Sequence, residues 1–176
     1  MTLEELRATL PDHARDLKLN LSTVMADPGL TDQQRWGTLL ACAIASRQPE
    51  LRRVAEAEAA ARLTPAAVTA ARSAAAIMAM NNVYYRFLHL LGDAEYSGLP
   101  ARLRMNVLAN PGVDKIDFEL WSIAVSAYFG CGQCIQAHER TLRNGGVGRE
   151  VVQGAVRIAA VVHGVAVVLD AATPAA

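Results

Sequence analysis

The chain reads as an all-α protein, and three observations predict this. Alanine is abundant while β-branched residues gather mainly near the C-terminus, a composition that favours helix. Helix-start signals recur along the chain, each followed by an apolar helical stripe. No segment shows the strict apolar–polar alternation of a half-buried strand. With 176 residues, 52% of them hydrophobic and 19% charged, the chain can bury an interior and lacks the composition of a disordered one. Residues 1–176 are read as a single domain.

The elements follow from local signals. Thr2-Leu-Glu-Glu5 is a capping box that opens a short helix, and Pro11 is expected to start a second, carrying Leu17, Leu19, Leu21, Val24 and Met25. Asp27-Pro28-Gly29 breaks it. Thr31-Asp-Gln-Gln34 is another capping box, ahead of Trp36, Leu39, Leu40 and Ile44. Pro49 begins the next helix, which ends before Leu63. Thr64-Pro65 pairs an N-cap with proline at the first helical position, and that helix runs past Asn81-Asn82 through Tyr84, Phe87 and Leu90. Gly92 to Pro100 reads as a loop, Arg102 to Leu108 as a short helix and Asn110-Pro111-Gly112 as a turn. Asp117 is expected to cap a helix through Phe118, Trp121, Val125 and Tyr128, interrupted at Gly130. Cys131 opens the next helix, which runs to Arg143 and stops at Gly145-Gly146. A last long helix spans Arg149 to about Leu169.

The two halves repeat. Sliding the second back by 84 positions sets Val147-Gly-Arg-Glu-Val-Val152 on Leu63-Thr-Pro-Ala-Ala-Val68, and Ile158-Ala-Ala-Val-Val162 on Ala74-Ala-Ala-Ile-Met78. The duplicated helical units are about 34–85 and 118–169. In that register Cys131 falls on Arg47, Cys134 on Glu50, His138 on Val54 and Glu119 on Arg35, so the reactive groups belong to the second copy alone.

Seventeen basic residues balance seventeen acidic ones, which argues against nucleic acid or an anionic membrane surface as the main partner. The N-terminus lacks the basic and apolar regions of a signal peptide, and the apolar run Ile158 to Leu169 is shorter than the ~20 residues of a spanning helix. Three cysteines are too few for a disulfide framework, which leaves redox or metal chemistry in a cytoplasmic protein.

The chemistry concentrates between Glu119 and His138. Cys131 and Cys134 form a C-x-x-C pair at a helix start, and on one helix they share a face with His138. Free backbone N–H groups and the helix dipole favour a thiolate there. A thiolate attacks a peroxide to give a sulfenic acid, which a second thiol converts to a disulfide with release of water. An imidazole one turn away can take the thiol proton. Glu119, on the preceding helix, can orient His138 if the two helices form a hairpin; as a helix-start carboxylate it is equally explained by the dipole. Elsewhere, Cys42 reads as a small buried hydrophobe and His163 as a core histidine. His13 and His89 read as structural or solvated, Tyr84, Tyr85 and Trp121 as core aromatics, and Met78 and Met80 as gap fillers.

The spacing Glu119-x11-Cys131-x2-Cys134-x3-His138 resembles the signature of the AhpD-type alkylhydroperoxidases, in the carboxymuconolactone decarboxylase-like superfamily. Leu17-Lys-Leu-Asn-Leu21, Trp36-Gly-Thr-Leu-Leu40, Met80-Asn-Asn-Val83, Leu103-Arg-Met-Asn106 and Asn110-Pro-Gly112 extend the resemblance over nearly the whole chain. It implies an all-helical, internally duplicated fold, usually assembled as a homotrimer. It also implies a thiol peroxidase and disulfide reductase acting on organic hydroperoxides, with no bound cofactor and with a dihydrolipoyl group as reducing co-substrate. The implied partners are a lipoylated dihydrolipoyl succinyltransferase and the peroxiredoxin alkyl hydroperoxide reductase C. In this pattern Cys134 becomes the sulfenic acid, Cys131 is proton donor and resolving thiol, and Glu119 and His138 form the proton relay. The helix dipole alone would instead favour the N-terminal thiol, Cys131, as the attacker. One position departs: related proteins carry histidine immediately before the second cysteine, where this chain has Gln133, which cannot shuttle a proton.

Two other readings fit the same residues. One is a helical adaptor with a structural zinc at Cys131, Cys134 and His138, which lacks a local fourth ligand. The other is a decarboxylase-like relative that does not use its cysteines.

Overall fold

The first capping box closes as its sequence predicts: Thr2 Oγ1 accepts from the Glu5 N–H at 3.1 Å, and the Glu5 carboxylate accepts from the Thr2 N–H at 2.8 Å. In the computed structural model, which describes residues 1–172, this box opens α1 (Leu3–Thr9). The remaining residues of the expected 1–176 domain lie outside the described residues. Pro11 does not start the second helix. It stands extended ahead of a 3-10 turn, Asp12–Ala14, and α2 (Arg15–Met25) follows. The second box, Thr31 with Gln34, opens α3 (Asp32–Ser46). Gln48 caps α4 (Pro49–Arg62), and Thr64 caps α5 (Pro65–Leu91), which passes through Asn81-Asn82 unbroken.

The middle of the chain departs most from expectation. The Gly92–Pro100 loop contains a single turn, α6 (Ala94–Ser97). No helix spans Arg102 to Leu108: Arg102 has φ +51°, and only Asn106–Leu108 turns, as 3-10. The cap of α7 (Lys115–Phe129) is Asp114, which accepts from the Ile116 N–H at 2.7 Å. Asp117 lies inside the first turn, where it accepts from the side chains of Gln33 at 2.6 Å and Gln34 at 3.0 Å, tying α7 to α3 in a buried place. Then come α8 (Gly132–Asn144) and α9 (Arg149–Ala172). Among the described residues there are nine α-helices and no strand.

The duplication is visible in the helix order. α7 starts 83 residues after α3, α8 83 after α4, and α9 84 after α5. The register of 84 therefore holds for the last helix pair and slips by one in the other two, because the α8–α9 connection through Gly145-Gly146 is longer than Leu63-Thr64. In the corrected register Cys131 matches Gln48, Cys134 matches Leu51, His138 matches Ala55 and Glu119 matches Trp36. None of the four is a reactive counterpart.

The long helices α3, α5, α7 and α9 pack on one another, each unit against the other. Their shared interior holds Leu39, Leu40, Met78, Phe118, Trp121, Ile123, Ile158 and Val162, all fully buried. A side chain of this size removed from water contributes about 1.5–3 kcal/mol. By length and composition α9 is long and apolar enough to cross a membrane, contrary to the reading of its apolar run as too short. Here its inner side, Ala155, Ile158, Val162 and Val165, is core packed among α2, α3 and α7.

The α3–α7 crossing depends on Gly37. The Trp121 indole lies directly against its Cα, and the indole N–H donates to the Gln34 carbonyl at 3.3 Å. A methyl at position 37 would overlap the ring. Gly37→Ala is expected to lower stability by about 1–3 kcal/mol through overpacking, seen as a lower urea midpoint with an unchanged m-value.

Candidate active site

The site begins at a chain reversal. Gly130 ends α7 in the left-handed region, φ +68°, which glycine adopts without strain. The chain turns back, and Cys131 becomes the N-cap of α8, its Sγ accepting the Cys134 N–H at 3.3 Å. The cap position and the first turn hold the two cysteines with Cα atoms 5.3 Å apart, and they are joined as a disulfide. Cys131 is fully buried; Cys134 is 5% exposed and opens on a pocket.

One turn further along α8, His138 Nδ1 donates to Glu119 Oε2 at 2.6 Å. Glu119 sits in the second turn of α7, so the hairpin expected from the sequence exists and the contact is direct. Glu119 is buried and His138 mostly so, and there a hydrogen-bonded pair is screened far less than at the surface. The other ring nitrogen, Nε2, lies 3.2 Å from Met78 Sδ on α5. Ser126 Oγ is 3.5 Å from the same sulfur and donates to Asn82 Oδ1 at 3.0 Å, while Asn82 Nδ2 donates to the Val125 carbonyl at 3.4 Å. His138 is thus fixed from both ends by groups on α7 and α5.

A pocket of about 280 Å³ opens over Cys134. Tyr85, Met105 and Leu108 supply its apolar wall; Asn81, Gln133 and His138 supply its polar groups. This is a narrow, mostly apolar approach to one sulfur with a few polar groups at its base, the form of a small-molecule site. The disulfide engages both sulfurs with each other, and among the described residues no cluster of three or more His, Cys, Asp or Glu is arranged to hold a metal ion.

All four sequence-selected residues, Cys131, Cys134, His138 and Glu119, meet in this place. Several others join them that the sequence had assigned elsewhere. Tyr85 is a half-buried pocket wall rather than a core aromatic, and Met78 touches His138 besides filling space. His89 is exposed, as its reading as solvated expects, and lies near Gly132, where a Cβ would be 3.5 Å from its Nε2. His163 is not a core histidine. It is exposed on α9 with its ring edge-to-face on Tyr128, centroids 4.9 Å apart. Asn81 is 4% exposed, and its Oδ1 is buried with no hydrogen-bond partner among the described residues. An unpaired buried acceptor costs about 1–3 kcal/mol. The signal that could have found it was present: two asparagines in the interior of a long helix are poor helix formers, and such residues need a tertiary reason to be there.

Comparison with known proteins points the same way. The carboxymuconolactone decarboxylase family pattern matches residues 94–176. "Alkyl hydroperoxide reductase AhpD" of Streptomyces griseus is 60% identical over 171 residues, covering 97% of each chain. The protein of the same name from a Methylobacterium species is 56% identical over 176 residues, covering both chains completely, and that of Frankia alni is 61% identical over 171 residues, 97% of this chain and 92% of its own.

Cys42 on α3 is fully buried, and burial pushes its thiol well above the ordinary range. In the reduced native protein at pH 8 it is expected to resist iodoacetamide, while Cys134, which opens on the pocket, is labelled. Peptide mass spectrometry should find Cys42 alkylated only after denaturation.

Proposed function

The chain belongs to the AhpD alkyl hydroperoxide reductases of the carboxymuconolactone decarboxylase family, and from that membership we propose that it is a cytoplasmic thiol peroxidase and disulfide reductase, acting as one domain over residues 1–176. It reduces organic hydroperoxides through Cys131 and Cys134 and is recharged by dihydrolipoyl groups. The observation that carries this reading is a disulfide whose accessible sulfur forms the base of an apolar pocket, beside a buried carboxylate–imidazole pair.

In the proposed cycle the Cys134 thiolate attacks the outer oxygen of the hydroperoxide. The O–O bond breaks, the alkoxide takes a proton from the site to leave as alcohol, and Cys134 becomes a sulfenic acid. The Cys131 thiol then attacks that sulfur; an S–S bond forms and the hydroxyl leaves as water. A dihydrolipoyl dithiol returns two electrons and two protons by thiol–disulfide exchange and becomes the cyclic disulfide. His138, held by Glu119, takes and returns the thiol protons. No bound cofactor takes part. The dithiol is carried by a lipoylated dihydrolipoyl succinyltransferase, and the reduced pair passes electrons on to the peroxiredoxin alkyl hydroperoxide reductase C.

A homotrimer is proposed as the working form. In support, the C-terminal part of α5 and the segment after it expose Val83, Phe87, Leu90, Leu91, Tyr96 and Leu99, apolar side chains that a second copy would cover.

The deciding experiment is hydroperoxide consumption with dihydrolipoamide as reductant. Cys131→Ser and Cys134→Ser should each abolish turnover, and Glu119→Gln should lower kcat by about 10²–10⁴-fold, the usual worth of positioned acid–base catalysis. Activity that survives loss of both cysteines would turn the assignment towards a decarboxylase-like reaction. Gln133 removes one proton carrier from the pocket, so Gln133→His is expected to raise peroxide turnover and leave disulfide exchange unchanged; equal turnover in the two proteins would refute that role.

A further inference from the structure

We propose that Asn81 is a positioning residue for the reduced and sulfenic forms of Cys134, and that its acceptor oxygen makes the Cys131–Cys134 pair more oxidising than it would otherwise be. The inference rests on the pair being a reversible redox couple, as in the function proposed above.

Two adjacent asparagines sit in the interior of α5, both buried. Asn82 is fully used, donating to the Val125 carbonyl and accepting from Ser126, so it clamps α5 to α7. Asn81 has no such structural duty. It lines the pocket over Cys134, its backbone carbonyl lies 3.9 Å from Cys134 Sγ, and its side-chain Oδ1 has no donor among the described residues. Natural interiors rarely leave such an atom unpaired, and a redox or catalytic role is one physical reason for it.

The missing donor is one that the redox chemistry supplies. A disulfide sulfur carries no hydrogen, so Cys134 offers Asn81 Oδ1 no donor in this state. When an external dithiol adds two electrons and two protons, the S–S bond breaks, the dithiol becomes a disulfide, and Cys134 gains an S–H beside Asn81. In the peroxide half-reaction the sulfenic S–O–H brings a donor to the same place. In the proposal Asn81 Oδ1, the buried acceptor without a donor of its own at this pocket, takes the new S–H, which shifts the equilibrium towards the dithiol.

The test is a redox titration that involves no peroxide. Wild type, Asn81→Leu and Asn81→Asp are equilibrated in mixtures of reduced and oxidised dithiothreitol, quenched by alkylation and counted by mass. Leucine keeps the volume and removes the acceptor, so its equilibrium should move about tenfold towards the disulfide, equivalent to about 30 mV for two electrons. Aspartate places oxygen at both ends of the group, whichever way the native amide is oriented, and should hold the wild-type value or move towards the dithiol. Overturning results are an Asn81→Leu equilibrium within twofold of wild type, or both variants moving towards the disulfide. If the leucine protein does not fold, an Asn81→Asp shift towards the disulfide is sufficient to refute the proposal. Since no turnover is measured, a protein inactive on hydroperoxides would still report on Asn81, and an active one with an unmoved equilibrium would refute Asn81 alone.

Discussion

The site depends on the reversal at Gly130. Its positive φ lets the Gly130 and Cys131 N–H groups donate back to the carbonyls of Ala127 and Ser126, both at 3.1 Å, closing the end of α7. Only with the chain turned there does α8 fold back along α7. That return places Cys131 at a helix N-cap and brings His138 within 2.6 Å of Glu119, a carboxylate nineteen residues earlier in the chain. The disulfide, the carboxylate–imidazole pair and the pocket are three consequences of one left-handed residue.

The first unit contains the same reversal without the chemistry. Arg47 is left-handed at φ +63° after α3, and Gln48 caps α4 with its side-chain oxygen on the Leu51 N–H at 2.7 Å. In the second unit the cap is Cys131, whose sulfur accepts the Cys134 N–H at a longer 3.3 Å. Sulfur is a weak acceptor, so capping strength is given up where a reactive atom is needed. Around the two caps the first unit has Leu51 and Ala55 where the second has Cys134 and His138. A structural N-cap and a redox centre thus share one backbone design and differ in the side chains placed upon it.

This explains what was legible in the sequence. Capping boxes and proline at the first helical position act over three or four residues, so Thr2, Thr31, Pro49 and Thr64 marked their helices correctly. Asp117 was misread because Asp114, three residues earlier, has the same chemistry, and only the tertiary partners Gln33 and Gln34 tell a buried tie from a cap. The repeat register was anchored in the alanine-rich α5 and α9, where it holds at 84; the α8–α9 connection is two residues longer than the α4–α5 one and α8 is one residue shorter than α4, a net shift of one that leaves no local mark. Cys131, Cys134 and His138 were legible because one helix carries all three. Met78, Asn81 and Tyr85 were not, since they reach the site from α5 by packing, at sequence distances no local pattern spans.

Two arguments about the cysteines pointed in opposite directions, and the proposed cycle reconciles them through burial. The helix dipole favours a thiolate at Cys131, yet Cys131 is sealed from the pocket and Cys134 opens on it. In the proposed cycle both properties are needed at once, on different atoms. An incoming dithiol can reach only Cys134, and attack there expels the Cys131 sulfur as a thiolate. Exchange is faster when the departing sulfur is the better-stabilised one, and the departing sulfur here sits at a helix N-terminus with the Cys134 N–H directed at it. Access selects the sulfur that is attacked, and the cap stabilises the sulfur that leaves. In the peroxide direction the proposed cycle keeps the same order: the open sulfur meets the oxidant, and the capped one, shielded by its burial, closes the bond.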